Sequence, residues 1–66
     1  MITMTEEILD NLSTGSIVVA DGETRVAIKM NNGMWRVSGV RTPVKTENLE
    51  LFSSADEAWK LVRDGK

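Results

Sequence analysis

"KMNNGMWRV", residues 29–37, decides the fold of this chain. It centres on Asn32-Gly33, a dipeptide favoured in two-residue type I′ turns because both of its positions need φ > 0. A turn placed there predicts a β-hairpin with Met30 opposite Trp35 and Ile28 opposite Val37 on one face, and Lys29 opposite Arg36 and Ala27 opposite Ser38 on the other. The apolar side is well matched. The other side opposes two cations, which costs from a few tenths to about 1 kcal/mol in a sheet. Such a pair is tolerated if it splays into water, if the acidic N-terminal segment of this or a partner subunit covers it, or if an outside anion binds there.

A second turn dipeptide, Asp21-Gly22, lies upstream. Centring a two-residue turn on it pairs Val19 with Thr24 and Ile17 with Val26 on the same apolar face, and Val18 with Arg25 opposite. The two hairpins agree on which residues point inward. Because a slip of one residue would turn an apolar set outward, the sequence predicts a three-stranded meander over residues 16–20, 24–30 and 34–39.

The flanks are less regular. Thr5 followed by Glu6-Glu7-Ile8-Leu9-Asp10-Asn11-Leu12 reads as a short helix with Thr5 as N-cap, early acids complementing the dipole, and an Ile8/Leu12 stripe to dock. Pro43 cannot donate to a ladder, so 41–43 reads as a turn or edge. Val44, Leu49 and Leu51 suggest one or two short strands, centred on Leu49-Glu50-Leu51-Phe52. Ser54-Ala55-Asp56-Glu57 reads as a capping box, and Gly65 as the left-handed cap of a C-terminal helix. That helix would lay Ala55, Ala58, Trp59 and Val62 across the sheet and over Trp35. The expected fold class is α+β: a small antiparallel β-meander of three to five strands, SH3-like in one arrangement, covered by the C-terminal helix and preceded by a short N-terminal one. Residues 1–66 read as a single domain, with 1–14 the less ordered end.

Composition bounds the function. A chain of 66 residues builds one core at most, and such a core rarely supplies more than about 3–5 kcal/mol. The absence of Cys and His removes disulfide and thiolate or imidazole zinc staples, which leaves homodimerisation as a route to added stability. The run Ile17-Val18-Val19-Ala20 is too short to span a bilayer or form a signal segment, so the expected setting is cytoplasmic, without membrane contact.

Catalytic machinery is also lacking. With neither His, Tyr nor Cys, and no Ser in a nucleophile-elbow motif, no base or nucleophile stands out. Glu6-Glu7 and Asp56-Glu57 fall in predicted first helical turns, where the dipole explains them. Asp21-Gly22-Glu23-Thr24 lacks the spaced oxygens of a calcium loop, and the glycines match no nucleotide-binding pattern. The sequence predicts no enzyme, no cofactor and no metal.

One feature reads as a site. Residues 1–23 carry five acids and no base, 24–46 carry Arg25, Lys29, Arg36, Arg41 and Lys45 and no acid, and 47–66 carry five acids and three bases. In the predicted register Arg25, Lys29 and Arg36 share the outer sheet face. With Arg41 and Lys45 they form the candidate binding patch, and Trp35 points away from it, so no aromatic accompanies the bases for stacking.

The stretches "GSIVVADGETRVAIKMNNGMWRVSG" (15–39) and "SSADEAWKLV" (53–62) resemble a pattern in small uncharacterised proteins encoded by bacteriophages of actinobacteria: a Gly-Ser strand entry, an Asp-Gly turn, a Gly-x-Trp strand and a closing Ser-led helix. Residues 40–50 have no counterpart in that pattern. The resemblance implies a phage accessory protein acting inside the infected host cell, and it transfers no functional residue. The leading expectation is a non-enzymatic binding module that engages a host protein. A nucleic-acid-binding protein using the basic face is the alternative, and a structural component of a virion is a further one.

Overall fold

The computed structural model describes residues 5–20, 22–53 and 59–65. Its elements are a short helix α1 (Glu6–Asp10), strands β1 (Ile17–Ala20), β2 (Arg25–Lys29) and β3 (Trp35–Val37), a 3-10 helix (Thr46–Phe52) and strand β4 (Lys60–Arg63). The strands form one antiparallel sheet in the order β3-β2-β1-β4. The fold is thus α+β, and the meander of β1, β2 and β3 is the one read from the two turns.

Helix α1 begins as its sequence dictates. Thr5 is extended and its Oγ1 accepts from the Ile8 N–H at 3.3 Å, with Glu6 and Glu7 in the first turn. The residue that docks the helix is Leu9, buried at 4% exposure, while Ile8 faces outward. Leu12 packs against the core from beyond the helix end.

The registers differ from those predicted, and the loops explain why. Between β2 and β3, Met30 N–H bonds to Met34 O at 2.7 Å, Gly33 N–H bonds to Met30 O, and Gly33 has φ +82°. Asn31-Asn32-Gly33 is therefore a three-residue loop: a tight turn followed by a left-handed glycine. Asn32, whose side chain accepts from the Met34 N–H at 3.0 Å, keeps a negative φ, so the type I′ turn does not form. The extra loop residue moves the pairing by one: Lys29 stands opposite Trp35, Ile28 opposite Arg36 and Ala27 opposite Val37.

Between β1 and β2, Gly22 and Glu23 are both at positive φ. The pairs are Ile17 with Ile28, Val18 with Ala27, Val19 with Val26 and Ala20 with Arg25. This is a shift of two residues from the predicted pairing, which preserves face parity. Ile17, Val19, Val26 and Ile28 still share one face, but Trp35 and Val37 now lie on the other.

The core consequently sits on the face carrying Val18, Ala20, Ala27, Trp35 and Val37, closed over by Leu9, Val44, Leu49 and Trp59. The small side chains of Ala20 and Ala27, both at 0% exposure, leave the volume that two indole rings need in a close-packed interior. The face that the sequence assigned to the core is in part the outer one: Ile28 is 42% exposed.

Two expectations for the second half are corrected. Leu49-Glu50-Leu51-Phe52 belongs to the 3-10 helix instead of a strand, and only Val44 pairs with the sheet, through reciprocal hydrogen bonds with Trp35 at 2.7 and 2.8 Å. Residues Lys60–Arg63, expected to be helical, form β4 and pair with β1. Without β4, β1 would present the apolar run Ile17–Ala20 as an open edge, and covering such an edge outweighs the helical propensity that Lys, Leu and Arg lend to this segment. The predicted capping box at 54–57 and the stripe positions Ala55 and Ala58 lie outside the described residues. Gly65 is no helix cap. Its N–H bonds to Ser16 Oγ at 2.9 Å, and its backbone presses on Thr14 and Ser16 so closely that a Cβ would lie 2.8 Å from Ser16 N.

Candidate functional site

Lys29 resolves the like-charge pair by leaving it. Its side chain turns inward to 5% exposure, and Nζ donates to the carbonyls of Leu9 at 3.1 Å and Asp10 at 2.8 Å. The ammonium also lies 5.4 Å from the Trp35 ring centroid, within cation–π range. These carbonyls belong to the last turn of α1, where backbone acceptors lack intrahelical partners and the dipole favours a cation. The N-terminal segment thus does cover Lys29, by its carbonyl end and not by its carboxylates.

A polar chain continues from this point. Trp35 Nε1 donates to Thr46 Oγ1 at 3.0 Å, and Thr46 Oγ1 donates to Asp10 Oδ1 at 3.2 Å. The network ties β3, the 3-10 helix and α1 together, and Trp59 Nε1 adds a bond to the Leu49 carbonyl at 3.0 Å. Among the described residues no buried side-chain nitrogen or oxygen lacks a partner. Lys29 is therefore part of the scaffold and does not join Arg36 on the outer face.

The other predicted site residues separate into three places. Lys45 lies apart, beside Met34 and Glu47. Arg25, expected on the outer face with Arg36, stands opposite Ala20 and shares the core-side face with Ala27, at the end of β2. Arg36 and Arg41 come together on the outer face of β3. Strand alternation directs Arg36 outward between the buried Trp35 and Val37. After β3 the chain turns at Gly39, whose φ of +81° suits glycine. The turn is held from β2: Arg25 Nη1 donates to Ser38 O at 2.9 Å, Val26 N–H to Ser38 Oγ at 3.0 Å, and Ser38 N–H to Val26 O at 2.8 Å. Val40, bonded through its N–H to Val37 O at 3.0 Å, packs against the core and delivers Arg41 beside Arg36.

The result is a groove of about 550 Å³, floored by Val26, Ile28 and Val40 and flanked by Arg36, Arg41 and the 38–39 turn. Among the described residues, no acid lines it, and neither Arg36 nor Arg41 has an ionic or hydrogen-bonded partner. The acids of α1 and the 3-10 helix, Glu6, Glu7, Asp10, Glu47 and Glu50, belong to elements on the opposite side of the sheet. Of the basic block, Arg36 and Arg41 stand apart from those acids, whereas Lys29 is bonded to the end of α1 and Lys45 lies beside Glu47. Sequence reasoning found both arginines but not the apolar floor, because it placed Ile28 and Val26 in the core.

Comparison with protein-family models, curated proteins and solved structures returns no match. No group of carboxylates among the described residues is arranged to hold a metal, and no helix among them is long and apolar enough to cross a membrane.

Proposed function

We propose that this chain is a small non-enzymatic binding module that holds a protein partner on the outer face of β2 and β3. The observation that carries this reading is the direct cross-strand placement of Ile28 against Arg36, an exposed apolar side chain beside an unpaired guanidinium. Apolar contact area combined with arginine is the composition of energetically dominant positions in protein interfaces. The groove is also fixed in advance by the hydrogen bonds of the 38–39 turn, which lowers the ordering cost of association.

The resemblance of residues 15–39 to actinobacteriophage proteins supports a phage accessory role, with a host protein as the partner and the host cytoplasm as the setting, although the closing helix of that pattern gives way to β4 at Lys60–Arg63. Nucleic-acid binding through the basic residues is the competing reading, and it draws less from the geometry. Both indole rings are buried, so they offer no stacking platform, and Lys29 is withdrawn from the face. The test is affinity capture from actinobacterial lysate, with and without nuclease, using the wild-type chain and Arg36→Glu/Arg41→Glu. A protein recovered in both nuclease arms and lost with the variant supports the module. A catch dissolved by nuclease overturns it in favour of nucleic acid.

A further inference from the structure

Building on the binding-module reading, we infer that the groove takes an acidic segment of a protein, with one aliphatic side chain seated on Val26, Ile28 and Val40 and flanking carboxylates on Arg36 and Arg41. The floor is aliphatic and the groove of about 550 Å³ accommodates a few side chains, within the range of small-ligand and peptide sites. The rim is cationic on the side of Arg36 and Arg41, and guanidinium groups pair with carboxylates through two parallel N–H···O bonds. Arg25 is committed to the Ser38 carbonyl, so the recognition falls to the other two.

Charge complementarity selects this occupant over two others. A second copy meeting the groove with its own matching face would set Arg36 and Arg41 against their equivalents. A nucleic acid would find only two free guanidiniums, which release few counterions, and it would leave the aliphatic floor without a complement. An acidic partner is instead drawn to the basic face, away from the acids of α1 and the 3-10 helix.

The experiment is an NMR titration of the 15N-labelled full chain. The probes are a short acetylated and amidated peptide with leucine flanked by glutamates, its glutamine counterpart, a version with serine for leucine, and a short oligothymidylate. The expected result is saturable amide shifts confined to Val26–Ile28 and Arg36–Arg41 with the glutamate–leucine peptide, of roughly millimolar affinity and weakening as salt rises. The shifts are lost with the other three probes. They are also lost in Arg36→Gln/Arg41→Gln, whose remaining spectrum reports an intact fold. Equal shifts with the glutamine peptide or the oligonucleotide, or none at these amides with the glutamate–leucine peptide, overturn the inference. Should affinity capture yield a protein that the Arg36→Glu/Arg41→Glu variant still holds, the chain is still a binding module, but its placement on the outer face and this groove assignment both fall.

Discussion

Lys29 stands directly across the sheet from Trp35, with its ammonium 5.4 Å from the indole centroid and its Nζ bonded to two carbonyls at the end of α1. The side chain therefore serves three structural purposes: its stem packs in the core, its charge caps a helix, and its position fixes the hairpin register. Lys29→Met keeps an unbranched stem and leaves the Asp10 carbonyl without the Nζ donor, while the Leu9 carbonyl keeps only the Leu12 and Asn11 N–H groups, at a cost of about 1–3 kcal/mol. Lys29→Glu places an anion against those carbonyls and exceeds the roughly 3–5 kcal/mol a core of this size supplies. Urea denaturation is expected to show a lowered midpoint for the first and an unfolded chain for the second. Arg36→Glu on the outer face leaves the midpoint essentially unchanged; equal effects at positions 29 and 36 would refute the register.

Trp35 and Thr46 form a pair whose coupling is measurable. Thr46→Val keeps the side-chain shape but strands the buried Trp35 Nε1–H, now bonded at 3.0 Å, while Trp35→Phe removes the donor and part of the ring. Because the two changes act on one hydrogen bond, the double variant should be less destabilised than the sum of the singles, by about 0.5–3 kcal/mol. A cycle that closes additively in chemical denaturation would show that the bond contributes nothing.

How much of this was legible beforehand depends on what each local signal constrains. The N-cap at Thr5 was readable because capping is a matter of two or three neighbouring residues. The three strands of the meander were readable because Asp21-Gly22 and Asn32-Gly33 locate turns whatever their type. Register was not, because Asn-Gly fits both a two-residue loop and the last two positions of a three-residue loop, and these differ by one residue in pairing. The unbroken apolar run Ile17-Val18-Val19-Ala20 could not arbitrate, since either of its faces is apolar. The missed signal was the small side chains of Ala20 and Ala27 on one face, which leave space for tryptophan where isoleucine and valine would not. Strand β4 was hidden for a different reason: Lys60–Arg63 gains its conformation from the edge of β1, a partner some forty residues distant in sequence. For the candidate site, Arg36 and Arg41 followed from charge alone, whereas Arg25 and Lys29 were misplaced and the aliphatic floor overlooked through the same register error.

The closure of the sheet by β4 rests on Gly65 and Ser16. Ser16, at 0% exposure, donates through Oγ to Ser13 O at 2.6 Å and accepts from the Gly65 N–H at 2.9 Å. Gly65→Ala drives a methyl into the Thr14 carbonyl and Ser16 backbone, so the end of β4 must lift. The expected result is faster amide hydrogen exchange along β4 and β1 at little cost to β2 and β3. Ser16→Ala gives the same pattern by removing the hydroxyl. Exchange that accelerates uniformly, or not at all, would show that β4 is not separately held by this contact.

The loop between β2 and β3 offers the sharpest check on the register. Met30 and Met34 are bonded across Asn31-Asn32-Gly33, so deleting Asn31 leaves Met30 and Met34 joined by Asn-Gly, a two-residue loop that favours type I′ geometry. That deletion preserves Lys29 opposite Trp35, and the shorter loop is expected to match or exceed the parent in thermal stability. Deleting Gly33 instead leaves Asn31-Asn32, which puts asparagine where the second positive-φ position prefers glycine, and should lower the midpoint. Cross-strand NMR contacts in the parent and in the Asn31 deletion, taken together, decide the matter. Contacts between Lys29 and Trp35 in both show that the native loop holds one residue more than the tightest hairpin needs, whereas contacts between Lys29 and Arg36 in the parent that give way to Lys29 and Trp35 in the deletion would mean that the longer loop was never formed.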